Sequence, residues 1–323
     1  MERNLVNKIN FMIALFQAAI LLILAPLAIG LIKKTKALLQ NRQGATIFQP
    51  YWDLLKNFRK EEVISETTSW IFRAVPLICF SSILISCLLV PTISINHSLK
   101  FTGDLIALVY LLALPRFFMA LAGLDAGSAF GGMGSSREVM ISSTAEPALI
   151  LVLFTMAVTA GTTQAEEIIR TILQKGWMTY WPGTVLAFVS LFLITLAECG
   201  RLPVDNPATH LELTMIHEAM ILEYSGKSLA LIEWASMTKL LLFFTLLANI
   251  FFPWGIAQET SLISLGNSMI FFILKIGLFC LLLAFIETST AKLRLFRVPD
   301  FLGTAFVLAL LALLSQSILK LGL

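Results

Sequence analysis

Apolar runs of roughly 20 residues recur along this chain, each long enough to cross about 30 Å of hydrocarbon as a helix. "FMIALFQAAILLILAPLAIGLI" opens the series at 11–32. Seven more follow at 70–92, 103–123, 139–161, 183–200, 233–254, 268–288 and 301–319. No soluble domain of useful size fits between them. The expectation is therefore an all-α integral membrane protein, one transmembrane domain over 1–323 with about eight spanning helices. Composition agrees, since 13% of the residues are charged against about 25% in a soluble domain. The first run is too long for a signal-peptide core and lacks a cleavage site, so it reads as a retained helix.

Charge placement sets the expected orientation. The first, third, fifth and seventh connections hold or border thirteen basic residues, among them Lys33, Lys34, Lys36, Lys56, Arg59, Lys60, Arg201, Lys292 and Arg297. The other side has six: Arg3, Lys8, Lys100, Arg170, Lys175 and Lys320. The positive-inside bias puts the odd-numbered loops in the cytoplasm and both termini outside. Cys79, Cys87, Cys199 and Cys280 are isolated, with no Cys-x-x-Cys pair, which argues against an iron–sulfur or structural zinc site in this chain.

Three of the inward loops carry unusual chemistry. In "NRQGATIFQPYWDLLKNFRKEE" (41–62), Trp52, Leu54, Leu55 and Phe58 alternate with Lys56, Arg59 and Lys60 after Pro50. That pattern predicts a short amphipathic helix at the membrane surface. "GLDAGSAFGGMGSSRE" (123–138) is glycine-rich but lacks the Gly-Lys-Ser/Thr ending of a phosphate loop. It reads as a tight, closely packed loop presenting Asp125 and Arg137. In "RLPVDNPATHLELTMIHEAMILEYSG" (201–226), Asn206 can cap a helix that Gly226 closes, giving about 18 helical residues. His210 and His217 would then share a face. His217-Glu218 lacks the second histidine of a zinc-protease motif, and two histidines seven apart are a weak metal signal.

A fourth feature lies inside the apolar runs. Glu146, Glu198, Lys239, Lys275 and Glu287 sit there, with Arg116 near an end. A charge at mid-membrane costs about +2.5–3.5 kcal/mol on insertion scales, so such residues face protein or water. Five in one chain favour a hydrated path for charge over five unrelated static ion pairs.

Together these stretches, with "AEPALIL" and "FIETSTAKLRL", resemble the membrane subunit that joins the two arms of respiratory complex I and of energy-converting group 4 NiFe hydrogenases. The likeness runs over essentially the whole chain. Gly44 and Gln49 are only five apart, where the complex I form typically inserts extra glycine and proline. "PRFFMALAGLDAGS" is similar to the formate hydrogenlyase type, and "THLELTMIHEAM" is nearer to proton-reducing membrane hydrogenases.

The resemblance implies a subunit that couples electron transfer to proton or sodium translocation. It implies proton-path roles for Glu146, Glu198, Asp205, Glu212, Glu223 and Glu287, which the buried Lys239 and Lys275 join. Arg42, Asp53, Asp125, Arg137 and Arg294 would shape the cytoplasmic junction, with His210 and His217 beside the peripheral arm. No cofactor is expected on this chain; the NiFe centre and iron–sulfur clusters belong to partners. Those are hydrogenase-like large and small subunits, iron–sulfur subunits and antiporter-like membrane subunits, in a prokaryotic cytoplasmic membrane with no nucleic acid involved. The alternatives are a quinone-site subunit of complex I, a related complex without hydrogenase activity, and a free-standing secondary transporter.

Overall fold

The computed structural model of the chain describes residues 2–95, 104–176, 181–206, 215–258 and 261–321. Among them are eleven α-helices: α1 Glu2–Leu39, α2 Gln49–Arg59, α3 Trp70–Leu89, α4 Leu105–Asp125, α5 Ala129–Ala160, α6 Ala165–Lys175, α7 Gly183–Glu198, α8 His217–Ile221, α9 Gly226–Leu246, α10 Leu262–Ser289 and α11 Val298–Leu321. Seven of these elements are long and apolar enough to cross a membrane, and α7 is a shorter apolar helix beside them. A turn of π-helix, Leu247–Phe251, extends α9. Side-chain caps start several of the helices: Ser69 for α3, Asp104 for α4, Ser128 for α5 and Ser261 for α10.

Internal prolines sit in α1, α3, α4 and α5, and each leaves a carbonyl four residues earlier without its helical donor. The bundle answers the first three. Trp234 Nε1 of α9 donates to the Leu22 carbonyl at 3.0 Å, opposite Pro26 of α1. The Tyr224 hydroxyl donates to the Phe72 carbonyl at 2.9 Å, opposite Pro76 of α3. The Ser82 hydroxyl takes the Leu111 carbonyl, opposite Pro115 of α4. In hydrocarbon no water is available for this task, so these side chains both tolerate the prolines and register α1, α3, α4 and α9 against one another.

The loops at the two ends differ. At the end that carries most of the basic residues, the first and fifth connections lock together. Ser225 Oγ accepts from Val63 N at 2.8 Å and donates to Val63 O at 3.0 Å. Gly226 turns into α9 with φ +54, and a Cβ there would lie 2.7 Å from the Glu61 carbonyl. The opposite end is tied by Gln17, which accepts from Thr92 N at 2.9 Å, and by Asn249, which donates to the Pro91 and Thr92 carbonyls.

The structure corrects two expectations. The glycine-rich stretch is not a loop beyond Ser128: Ala129–Glu138 is the start of α5. Its glycines allow close approach, since a Cβ on Gly131 would lie 2.3 Å from the Gly123 carbonyl and one on Gly134 would lie 2.9 Å from that of Ile216. The long helix expected to end at Gly226 is also absent from the described residues, where only His217–Ile221 is helical. Arg137 Nη1 takes the Met215 carbonyl at 2.6 Å, and Ile216 lies against Gly134, so tertiary partners hold the described residues on either side of 207–214, at 201–206 and 215–225, as a largely irregular strap. Gly226 opens α9 instead of closing a helix. In the fourth connection α6 buries Ile168, Ile169 and Ile172 along one side.

Tyr224→Phe keeps the ring that stacks on Phe72 at 3.9 Å but strands the Phe72 carbonyl. The expected loss is about 1–3 kcal/mol, read as a lower thermal midpoint of the detergent-solubilised protein. An unchanged midpoint would remove the proline-capture argument at this position.

Candidate functional site

Glu198 is the last residue of α7, and its side chain is fully buried. Two cations converge on it from different helices. Arg116 of α4 reaches it with Nη2 in a direct hydrogen bond to Oε1. Lys239 of α9 lies 3.1 Å from Oε2 and also donates to the Glu198 main-chain carbonyl at 3.0 Å. Arg116 Nη2 is in turn 3.7 Å from Oε1 of Glu146 on α5, whose side chain is 36% exposed and so sits at the rim. Four helices therefore meet at one charge cluster. At Glu146 it lies about five turns from the start of α5.

The cluster is not saturated. Arg116 Nε and Nη1 are buried and have no hydrogen-bond partner among the described residues. They border a cavity of about 50 Å³, also lined by Glu138, Glu198, His217 and Lys239. That is room for a few waters, and within a largely apolar wall these five side chains supply the polar partners they need. Two cations, Arg116 and Lys239, face three carboxylates, Glu138, Glu146 and Glu198. With every carboxylate, Arg116 and Lys239 ionised, the cluster carries one uncompensated negative charge.

A second set of pairs lies at the basic end. Glu287 of α10, fully buried, pairs with Lys36 of α1 at 2.7 Å and with Arg201 at 3.5 Å. Asp205 pairs with Lys292 at 2.6 Å and accepts from Asn206 N at 2.8 Å. A smaller cavity of about 10 Å³ connects Asp205, His217, Glu138 and Glu198, so the strap and the buried cluster share a wall.

Of the residues singled out in the sequence, Glu146, Glu198, Lys239 and His217 come together here, and Asp205 and Glu287 stand beside them. His210 and Glu212 lie outside the described residues. Glu223 is exposed, between α8 and α9. Lys275 is buried elsewhere in α10, its ammonium 5.2 Å from the Trp254 ring centre, a cation–π contact. At the junction, Asp125 accepts from Ser69 N at 2.8 Å, Ser69 Oγ at 2.9 Å and Phe72 N at 3.3 Å, and so fixes the start of α3. Asp53 accepts from Gln49 within α2, Arg137 holds the strap, and Arg42 and Arg294 are exposed. Tyr224 is locked in the same junction, and burial pushes its phenol above the usual range.

Sequence reasoning missed Glu138. It belongs to the buried face of α5 with Ile141, Ala145 and Leu149, at offsets of three, seven and eleven residues. That periodicity is visible only once the glycine-rich stretch is read as helix. Lys36, Arg201 and Lys292 are orientation signals in the sequence, and in the fold they are also partners of Glu287 and Asp205. Among the described residues no group of three or more His, Cys, Asp and Glu side chains is arranged to hold a metal ion.

Comparisons with known proteins agree with this architecture. The chain is 37% identical over 312 residues to hydrogenase-4 component C of Escherichia coli (strain K12), covering 97% of this chain and 98% of the relative. It is 33% identical over 306 residues to formate hydrogenlyase subunit 4 of the same organism, covering 93% and 97%. In fold it is similar to a chain of the membrane-bound sulfane sulfur reductase, an archaeal respiratory membrane complex, with TM-score 0.78 at 20% identity, covering 98% of this chain and all of that one. The NADH dehydrogenase family profile matches residues 11–317, and on that match and those identities the chain belongs to this family as a multi-span membrane subunit homologous to hydrogenase-4 component C and formate hydrogenlyase subunit 4.

Proposed function

We propose that this chain is the coupling subunit of an energy-converting hydrogenase-type complex, linking electron transfer in a peripheral arm to ion movement through the membrane. The observation that carries this is the series of ionisable side chains that line adjoining cavities, from Asp205 and His217 in the strap, through Glu198, Arg116 and Lys239, to Glu146 at the rim. The strap, the first loop and Arg137 form one packed surface at the basic end, suited to a soluble partner. On this reading the partners are hydrogenase-like large and small subunits and iron–sulfur subunits, which hold the NiFe centre and clusters. Antiporter-like membrane subunits would continue the ion route. The basic end faces the cytoplasm of a prokaryotic cell and both termini face outward.

The quinone-enzyme alternative needs an open apolar chamber beside the first-loop helix. The space where α2 meets α9 and α3 is instead filled by rings. Phe58 and Phe80 pack against Trp234 with centroids at 6.3 and 5.0 Å, and a Cβ on Gly30 of α1 would overlap the Ile47 carbonyl at 1.8 Å. Met215 and Met220 of the strap are buried as well. The purified complex should therefore hold no stoichiometric quinone, and quinone-site inhibitors should not slow its electron transfer. A bound quinone that competes with such an inhibitor would move the protein to the quinone-linked branch.

Two further outcomes follow. Glu146→Gln removes the rim carboxylate while keeping its shape, so the complex should assemble and ion translocation should fall by about ten-fold or more. Full translocation in the assembled variant would leave Glu146 a packing residue. For orientation, a reporter fused after Arg170 should read as external and one in the 56–60 segment as cytoplasmic; the reverse pattern would invert the topology.

A further inference from the structure

Three separate cavities border the buried charge cluster, and a single carboxylate outside the ion-paired core lines all of them. The cavity of about 50 Å³ lies at Arg116, Lys239 and His217. The one of about 10 Å³ opens toward Asp205 in the strap. The third, about 820 Å³, is a lateral groove between α4 and α5 that contains Glu146 and Ser142 and is rimmed by exposed Tyr110, Phe117 and Val139. Glu138 lines each of them.

We propose that Glu138 is the exchangeable carboxylate at which the route from the strap divides, one branch leading to the Arg116–Glu198–Lys239 cluster and the other through the lateral groove to Glu146. The inference rests on the coupling function above and names the residue through which it runs.

Glu138 is 9% exposed. Neither a hydrogen bond nor an ion pair fixes its carboxylate among the described residues, unlike Glu198 and Glu287, which are each held by two cations. The Glu138 carboxylate is therefore free to turn among the three cavities it lines. The groups facing it are Arg116 from α4, Glu146 on its own helix, Glu198 from α7, Asp205 from the strap, His217 from α8 and Lys239 from α9. Arg116 and Lys239 both pair with Glu198, while the unpartnered Nε and Nη1 of Arg116 share a cavity with Glu138, so the guanidinium attracts this carboxylate without a hydrogen bond that fixes it. A proton that arrives through water from the His217 side adds to a carboxylate oxygen and makes the group neutral. The same proton leaves to water in the groove, beside Glu146, and restores the carboxylate. Only O–H bonds form and break, and no electron moves.

The test uses the whole complex in inside-out membrane vesicles, driven by dithionite-reduced methyl viologen, with a pH-sensitive dye reporting proton uptake. Coupled uptake in the wild type and a fall of about ten-fold in E138Q, with E138D restoring part of it, is the expected result. Normal uptake in E138Q would overturn the role of Glu138 while leaving the coupling function intact. Electron transfer without any proton movement in the wild type would overturn both. Should E138Q fail to assemble, the wild-type complex still decides the matter. Dicyclohexylcarbodiimide adds to protonated carboxyl groups in apolar surroundings, and the lateral groove is rimmed by exposed Tyr110, Phe117 and Val139. Peptide mass analysis should find the acylurea on Glu138, with proton uptake blocked in proportion, and an unmodified Glu138 would overturn the proposal.

Discussion

Hydrocarbon cannot hydrogen-bond, and most of the internal arrangement of this chain answers that constraint. Each proline placed inside α1, α3 and α4 frees a carbonyl, and Trp234, Tyr224 and Ser82 return a donor to it from a different element. The same rule governs the charges. Glu198 is tolerable at the end of α7 because Arg116 and Lys239 arrive from two other helices, which forces α4, α7 and α9 to meet at one depth. Register between helices is thus set by polar groups, while the apolar faces supply the contact area around them. Removing one partner would cost more than the pair contributes, because the other charge would remain buried and alone.

Close approach of backbones does the corresponding work at the basic end. Gly131 lets α5 touch α4, and Gly134 admits the Ile216 carbonyl. The Glu-Tyr-Ser-Gly sequence after α8 forms a latch: Tyr224 ties to α3, Ser225 to Val63, and Gly226 turns beneath Glu61. The strap is therefore anchored on both sides of His217, by Arg137 at Met215 and by Tyr224. A segment with few helical hydrogen bonds of its own but firm anchors at each end holds His217 against the cavity wall without burying it completely.

How far the sequence carries this picture depends on the length scale of the signal. Spanning helices are legible because 20 apolar residues have one economical arrangement in lipid, and the first-loop helix because its apolar residues recur every three to four positions. Glu146, Glu198, Lys239 and Glu287 are legible too, since an ionisable residue inside such a run is conspicuous. The partners they find are not, because nothing local in Arg116 names Glu198, 82 residues away. Glu138 escaped for a different reason. Five glycines from Gly123 to Gly134 argue for a loop by propensity, yet tertiary packing of α5 against α4 and the strap overrides a cost of about 1 kcal/mol per glycine. The long helix expected across the fifth loop is overridden in the same way, since Arg137 takes the Met215 carbonyl and Gly134 lets the Ile216 carbonyl pack closely against α5.

The electrical asymmetry of the site gives the proposed coupling a physical basis. Around Arg116 and Lys239 the carboxylates outnumber the cations by one, whereas around Glu287 the cations Lys36 and Arg201 outnumber the single carboxylate. The two clusters sit at neighbouring levels, linked by the short chain from Glu198 through Cys199 and Gly200 to Arg201. A negative charge produced in a partner above the strap would repel the first cluster and be attracted to the second. At an effective dielectric of about 20, two unit charges roughly 10 Å apart interact by about 1.7 kcal/mol, a little more than one pKa step. That is enough to change how often a weakly held proton resides on an unpaired carboxylate. It is too little to break the Arg116–Glu198 contact, so the fold stays fixed while the occupancy changes.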